Sequence, residues 1–170
     1  MVWIILCWNM ALTLRYKKKG DGSAAFTAVR GDGSSSTAQI GAAGGFGPVH
    51  DLAHYVVENQ FGIKQGFLGL LASGWSIEDF STGVVDRMIR EGVIREAGRA
   101  EVVAGLLSAD AFSPFPLSAE DFNSTVQSQS AEIPSVSADE LAALRQRLTT
   151  LRKQWDALNA GETLELSINL

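Results

Sequence analysis

The run ALTLRYKKKGDGSAAFTAVRGDGSSSTAQIG, Ala11–Gly41, sets the architecture of the chain. Leu12, Leu14 and Tyr16 alternate with Thr13, Arg15 and Lys17, which is the period of a strand buried on one face only. Two copies of Gly-Asp-Gly-Ser, at Gly20–Ser23 and Gly31–Ser34, divide the run into three such segments. Asp and Gly tolerate the positive φ of tight primed turns, so the spacing predicts a three-stranded antiparallel meander. The second turn holds Arg30-Gly31-Asp32, the tripeptide of extracellular adhesion ligands, and the turn accounts for it fully. The basic run Arg15–Lys19 reads as a solvated strand end that keeps a sheet edge from pairing with other sheets.

The other end of the chain supplies a fourth strand. In ETLELSINL the residues Leu164, Leu166, Ile168 and Leu170 alternate with Glu165, Ser167 and Asn169, and a strand this regular needs a sheet to join. Before it, Ser137 and Glu140 form a capping box. Leu141, Leu144, Leu148, Leu151, Trp155 and Leu158 then repeat at three-four spacing up to Gly161. That stripe must be buried, either within the fold or in a homodimer seam along residues 138–158. The expected class is α+β: a small, mostly antiparallel sheet, the meander plus the terminal strand, covered by a helical layer.

Residues 48–136 supply the rest of that layer. IKQGFLGLLASGW is apolar on nearly every side, as in a short buried helix, and Ser76–Asp79 can cap the next segment. Residues 84–107 carry a helical apolar period that reads as one long helix or as two broken near Gly92 or Gly98, and a Ser- and Pro-rich loop holds one short helix from Ser118. The division is thus 10–47 for the meander and a Gly-rich loop, 48–136 for helices and loop, 137–160 for the amphipathic helix and 162–170 for the last strand. Residues 1–9 read as an extension ahead of a natural start, because alternation begins only after Met10.

Composition narrows the functional classes. The chain has 170 residues, 46% of them apolar and 19% charged, with a formal net charge of -5. That size buries a core without disulfides or structural metals, and the acidic balance argues against nucleic acid as a partner. Cys7 is the single cysteine, which excludes an intramolecular disulfide and a four-cysteine zinc site and points to a cytoplasmic setting. The apolar opening is too short to span a bilayer, which takes about 20 residues, and no basic residue precedes it as in a signal peptide, so no membrane is expected.

The chemistry is concentrated in GPVHDLAHYVVE, Gly47–Glu58, which holds both histidines of the chain. Pro48 suits the first helical turn. On a helix, His50, His54 and Glu58 fall within roughly 80° of arc, while Val49, Leu52, Ala53 and Val56 take the opposite side. Two imidazoles at i and i+4 can grip one divalent ion, zinc first, with manganese or iron also suited to an oxygen-rich shell. His50, His54 and Glu58 are therefore the candidate metal ligands. Three ligands along one straight helix span about 12 Å, so acids such as Glu78, Asp79, Asp86, Glu91 or Asp121 are further candidates.

The segment His50-Asp51-Leu52-Ala53-His54 resembles the HExxH helix of the zincin metallohydrolases. The resemblance implies zinc on both histidines and a general base at position 51, and hence a metal-dependent hydrolase with Asp51 as its catalytic residue. Asp51 stands where that family has glutamate, one methylene shorter, so its carboxylate falls about one bond length, ~1.5 Å, short of a zincin base. The longer string is also similar, over roughly residues 40 to 80, to small bacterial proteins carrying a P-x-HDLxHYxVE segment, a likeness that brings no activity with it. The competing expectation is a noncatalytic dimerisation or interaction module in which the histidines are structural.

Overall fold

The computed structural model describes residues 11–42, 46–80, 83–129 and 134–170. The readings of residues 1–9, of Cys7 and of the middle of the Gly-rich loop lie outside the described residues. Strands β1 (Ala11–Lys18), β2 (Ala24–Arg30) and β3 (Ser35–Ile40) form the meander. Strand β4 (Thr163–Asn169) joins it, giving an antiparallel sheet in the order β3-β2-β1-β4. The fold is α+β, as expected from the alternation at the two ends of the chain.

The register puts the apolar alternates on one face. Leu12 pairs with Ile168, Leu14 with Leu166, and Tyr16 with Phe26 on one side and Leu164 on the other. Leu12, Leu14, Tyr16, Ala24, Phe26, Ala28 and Ile168 are buried, and the Tyr16 and Phe26 rings stack at 4.7 Å. On the open face Thr27 and Thr37 share a hydroxyl hydrogen bond and Arg15 pairs with Glu165.

Two details of the meander differ from expectation. The turns are not of the primed kind: Gly22 N–H donates to Lys19 O and Gly33 N–H to Arg30 O, and the positive φ falls on the residue after each turn, Gly22 (80°) and Gly33 (85°). That is a turn followed by a left-handed bulge glycine. The aspartates fix it, because Asp21 accepts from Ser23 N–H and hydroxyl, and Asp32 does the same for Ser34. Second, β1 is an inner strand, so the basic run guards no edge. Lys18 instead donates to the Trp155 and Asp156 carbonyls at the end of the last helix. Arg30 of the Arg-Gly-Asp turn is likewise engaged, donating to the carbonyls of Leu71 and Trp75.

Among the described residues the helical layer comprises α1 (Phe46–Phe61), α2 (Phe67–Ala72), α3 (Val84–Arg90), α4 (Ile94–Asp110), α5 (Ala119–Gln129) and α6 (Ala138–Ala157), with α1 and α2 packed on the sheet. The break in the long apolar segment falls at Gly92 (φ 73°), and Gly98 lies inside α4. The capping box at Ser137 is formed, and Leu141, Leu144, Leu148 and Trp155 of α6 are buried in the same core as α1. The leucine stripe therefore has a partner surface within the chain. Burial of four such side chains, at about 1.5–3 kcal/mol each, makes this contact one of the main supports of the helical layer.

Candidate metal centre

Helix α1 is amphipathic in an unusual sense, because both of its faces are buried. Val49, Leu52, Ala53, Val56 and Val57 go to the main core, whereas His54 and Glu58 are 2% and 0% exposed on the opposite side. Helix α2 makes that burial tolerable. The Glu58 carboxylate accepts from the backbone N–H groups of Leu68 and Gly69, at 3.0 and 3.1 Å, in the first turn of α2. It also bonds His54 Nδ1 at 3.0 Å. A carboxylate this deeply buried is stable only when so partnered. Space is as tight as the bonding: a Cβ at Gly66 would lie 2.5 Å from the Glu58 carboxyl carbon, so the approach of α2 requires glycine there.

Helix α4 brings the third element. Glu101 reaches across to both rings, with Oε2 at 3.1 Å from His54 Nε2 and Oε1 at 3.3 Å from His50 Nε2. The ligand atoms of His50, His54 and Glu101 all lie within 4.8 Å of one another. Ligands at about 2.0–2.1 Å from a tetrahedral zinc ion stand about 3.3 Å apart, and each histidine–carboxylate separation, to its own Glu101 oxygen, is of that size. Each ring also has a carboxylate at its other nitrogen, Glu58 for His54, and Asp51 at 3.7 Å from His50 Nδ1. Both Nε2 atoms thus face one carboxylate, a different oxygen each, while both Nδ1 atoms face other acids.

This crowding sets the electrostatics. The neighbouring carboxylates of Asp51 and Glu101 outweigh burial and raise His50 to about 9. Burial works against charging His54, but its bonds to Glu101 and Glu58 prevail and raise it to about 9 as well. Glu101 is held well below the ordinary carboxylate range by His50 and His54. Beneath α1, desolvation, with the nearby charges of Asp51 and Glu58, raises the Tyr16 hydroxyl well above its usual value.

The cluster opens into a cavity of about 430 Å³. His50, Asp51, His54 and Glu101 line it from α1 and α4, and the remaining walls are apolar. Phe67 of α2 packs 5.5 Å from the His54 ring, and Phe80, in the 3₁₀ turn Ile77–Phe80, packs on Phe67. Trp75 is a packing residue of a small second core with Leu70, Val93 and Ala97. Its Nε1 donates to Glu91, and the Arg87 guanidinium stacks on its ring at 3.8 Å.

The structure therefore brings His50 and His54 together with Glu101. Glu58, a candidate ligand by helical phase, sits on the far side of His54, where it holds the ring rather than meeting His50. Asp51 lies beside His50 and lines the cavity. Of the more distant acids, Asp79 and Glu91 pair with Arg87, away from the histidines. Sequence reasoning does not single out Glu101. Its signal is an acid four residues after Ala97 on the stripe Ala97, Ala100, Ala104 and Leu107, a face otherwise buried. No family model matches this chain, and no curated protein or solved structure is significantly similar to it. Among the described residues, no helix is long and apolar enough to cross a membrane.

Proposed function

We propose that the protein binds one divalent ion, zinc first with manganese or iron as alternatives, through His50 Nε2, His54 Nε2 and Glu101, and acts as a metal-dependent hydrolase. The observation that carries the reading is the double convergence: two imidazoles aim one nitrogen each at a shared carboxylate and have their other nitrogens facing Glu58 and Asp51. Carboxylate–histidine pairs of this kind fix the ring and its tautomer for metal binding. Two histidines and a carboxylate with one side open are a donor set of catalytic rather than structural zinc sites. An ion there would supply Lewis acidity to a carbonyl or phosphoryl group. In this reading Asp51, which lines the cavity beside His50, orients that ring and accepts a proton from a substrate or water in the cavity.

The test is metal content. Protein purified without a His-tag from zinc-replete growth should carry about one ion per chain, and a His50→Ala, His54→Ala double variant should carry none. Hydrolysis of activated esters should disappear on chelation and return with zinc. Wild-type protein that is folded and metal-free under these conditions sinks the reading. The second reading, an interaction module with structural histidines, draws on the exposed Val85, Ile89 and Phe115 side chains. It expects the double variant to lose stability while no metal is bound in either protein.

A further inference from the structure

The cavity beside the histidine cluster is chemically two-ended. Its titratable lining gathers where α1 meets α4, and the remainder is built from Phe67, Phe80, Val84, Met88, Ile94 and Ala97. Helix α3 forms the outer wall and buries none of its residues, and Val85, which also lines the cavity, is 55% exposed at its mouth. A volume of about 430 Å³ is within the range of small-molecule sites. Gly98 is the most informative lining residue. It lies inside α4, three residues before Glu101, and a Cβ built there would meet nothing within 4 Å. Glycine weakens a helix interior relative to alanine, and no protein neighbour here requires it. Its effect is to leave the cavity wide where the apolar part joins the polar end.

We propose that this cavity holds an amphiphile: a medium-length alkyl tail between α3 and α4, and an oxygen-donor head group, such as a carboxylate or acyl carbonyl, at His50, His54 and Glu101. The head-group half rests on the metal reading above, and the tail half does not.

Two arms separate them. In zinc-loaded protein, octanohydroxamate is compared with acetohydroxamate, which has the same head and almost no tail. Each buried methylene tightens binding about fourfold, so a partly buried heptyl tail should favour the longer probe by about a hundredfold. Gly98→Leu fills the tail space and should reduce that preference to about threefold or less, whereas Gly105→Leu should keep it. Gly105 is the matched control, being in the same helix with nothing within 4 Å of an added Cβ and outside the cavity lining. Thermal melting verifies that both variants fold. In metal-free protein, 1-octanol should shift the methyl resonances of Val84, Val85 and Met88, and Gly98→Leu should abolish the shifts. Equal affinity for the two hydroxamates, or a preference that survives Gly98→Leu, overturns the proposal. If the chain takes up no zinc, the metal reading falls and the octanol arm decides the tail alone: shifts lost in Gly98→Leu support it, and their absence in the wild type overturns it.

Discussion

Two acidic side chains of α4, Asp110 and Glu101, stand about two and a half turns apart and are used in opposite ways. Asp110 is 7% exposed and closed in: its carboxylate takes Arg145 Nε at 2.6 Å and Leu117 N–H at 2.8 Å, and Arg145 in turn donates to Leu117 O. Two of the partners in this group are backbone atoms of the loop between α4 and α5, so the group ties that loop down. Glu101 instead meets two imidazoles, and its own side chain is 62% exposed at a cavity wall. A staple satisfies the backbone of a loop and has only a cavity of about 190 Å³ beside it, whereas the histidine site gathers side chains at the wall of one of about 430 Å³. Glu58 belongs with the first kind in its bonding and with the second in its effect, because the N–H groups that fix it also fix the His54 ring.

The largest effect should come from breaking that link. Glu58→Ala leaves two N–H groups of α2 and a buried imidazole without their partner and should cost about 3–5 kcal/mol in urea unfolding, with zinc affinity falling as well. Asp110→Ala should cost about 2 kcal/mol, less because Arg145 can turn to water, and should leave zinc affinity unchanged. Coupled loss in the first and uncoupled loss in the second would sustain the contrast; zinc affinity that drops equally in both would end it.

Glu101→Gln sharpens the same contrast from the other side. Its partly exposed position predicts a stability change under about 1 kcal/mol, while zinc binding by titration calorimetry should weaken about a hundredfold. A smaller effect is expected in the pH dependence of the metal-free protein. The imidazoles titrate at about 9 in the fold against an ordinary 6.5, so their contribution is complete below about 6.5 and is lost as pH rises through about 9. Glu101, held below its ordinary 4.5, contributes above that value and loses its contribution as acid protonates it. Stability should therefore be greatest between about 4.5 and 6.5, and the decline toward pH 9 should be shallower in the His50→Ala, His54→Ala variant. Identical slopes would show that the cluster does not form.

The sheet is legible in the sequence because it is written in local alternation: Leu12, Leu14 and Tyr16 at one end of the chain and Leu164, Leu166 and Ile168 at the other name their own buried face. Helix α6 is legible for a similar reason, a capping box ahead of a leucine period. Which strand β4 joins is not, since pairing between residues some 150 positions apart leaves no local mark, and for the same reason the basic run of β1 suggests an edge that the sheet does not have there. The histidine pair is visible as a spacing within one helix. Glu101 is hidden, because its role depends on how α4 crosses α1. The role of Glu58 is hidden too: helical phase places it beside the histidines but cannot show that α2 lays its first N–H groups, with Gly66 making room, against that carboxylate.

Whether both histidines and Glu101 share one ion is tested most directly by zinc X-ray absorption on the tag-free, zinc-loaded protein. The predicted spectrum has a shell of nitrogen and oxygen only, with the multiple-scattering signature of two imidazoles, reduced in Glu101→Gln by one oxygen neighbour. A shell containing sulfur, or one with fewer than two imidazoles, would contradict it.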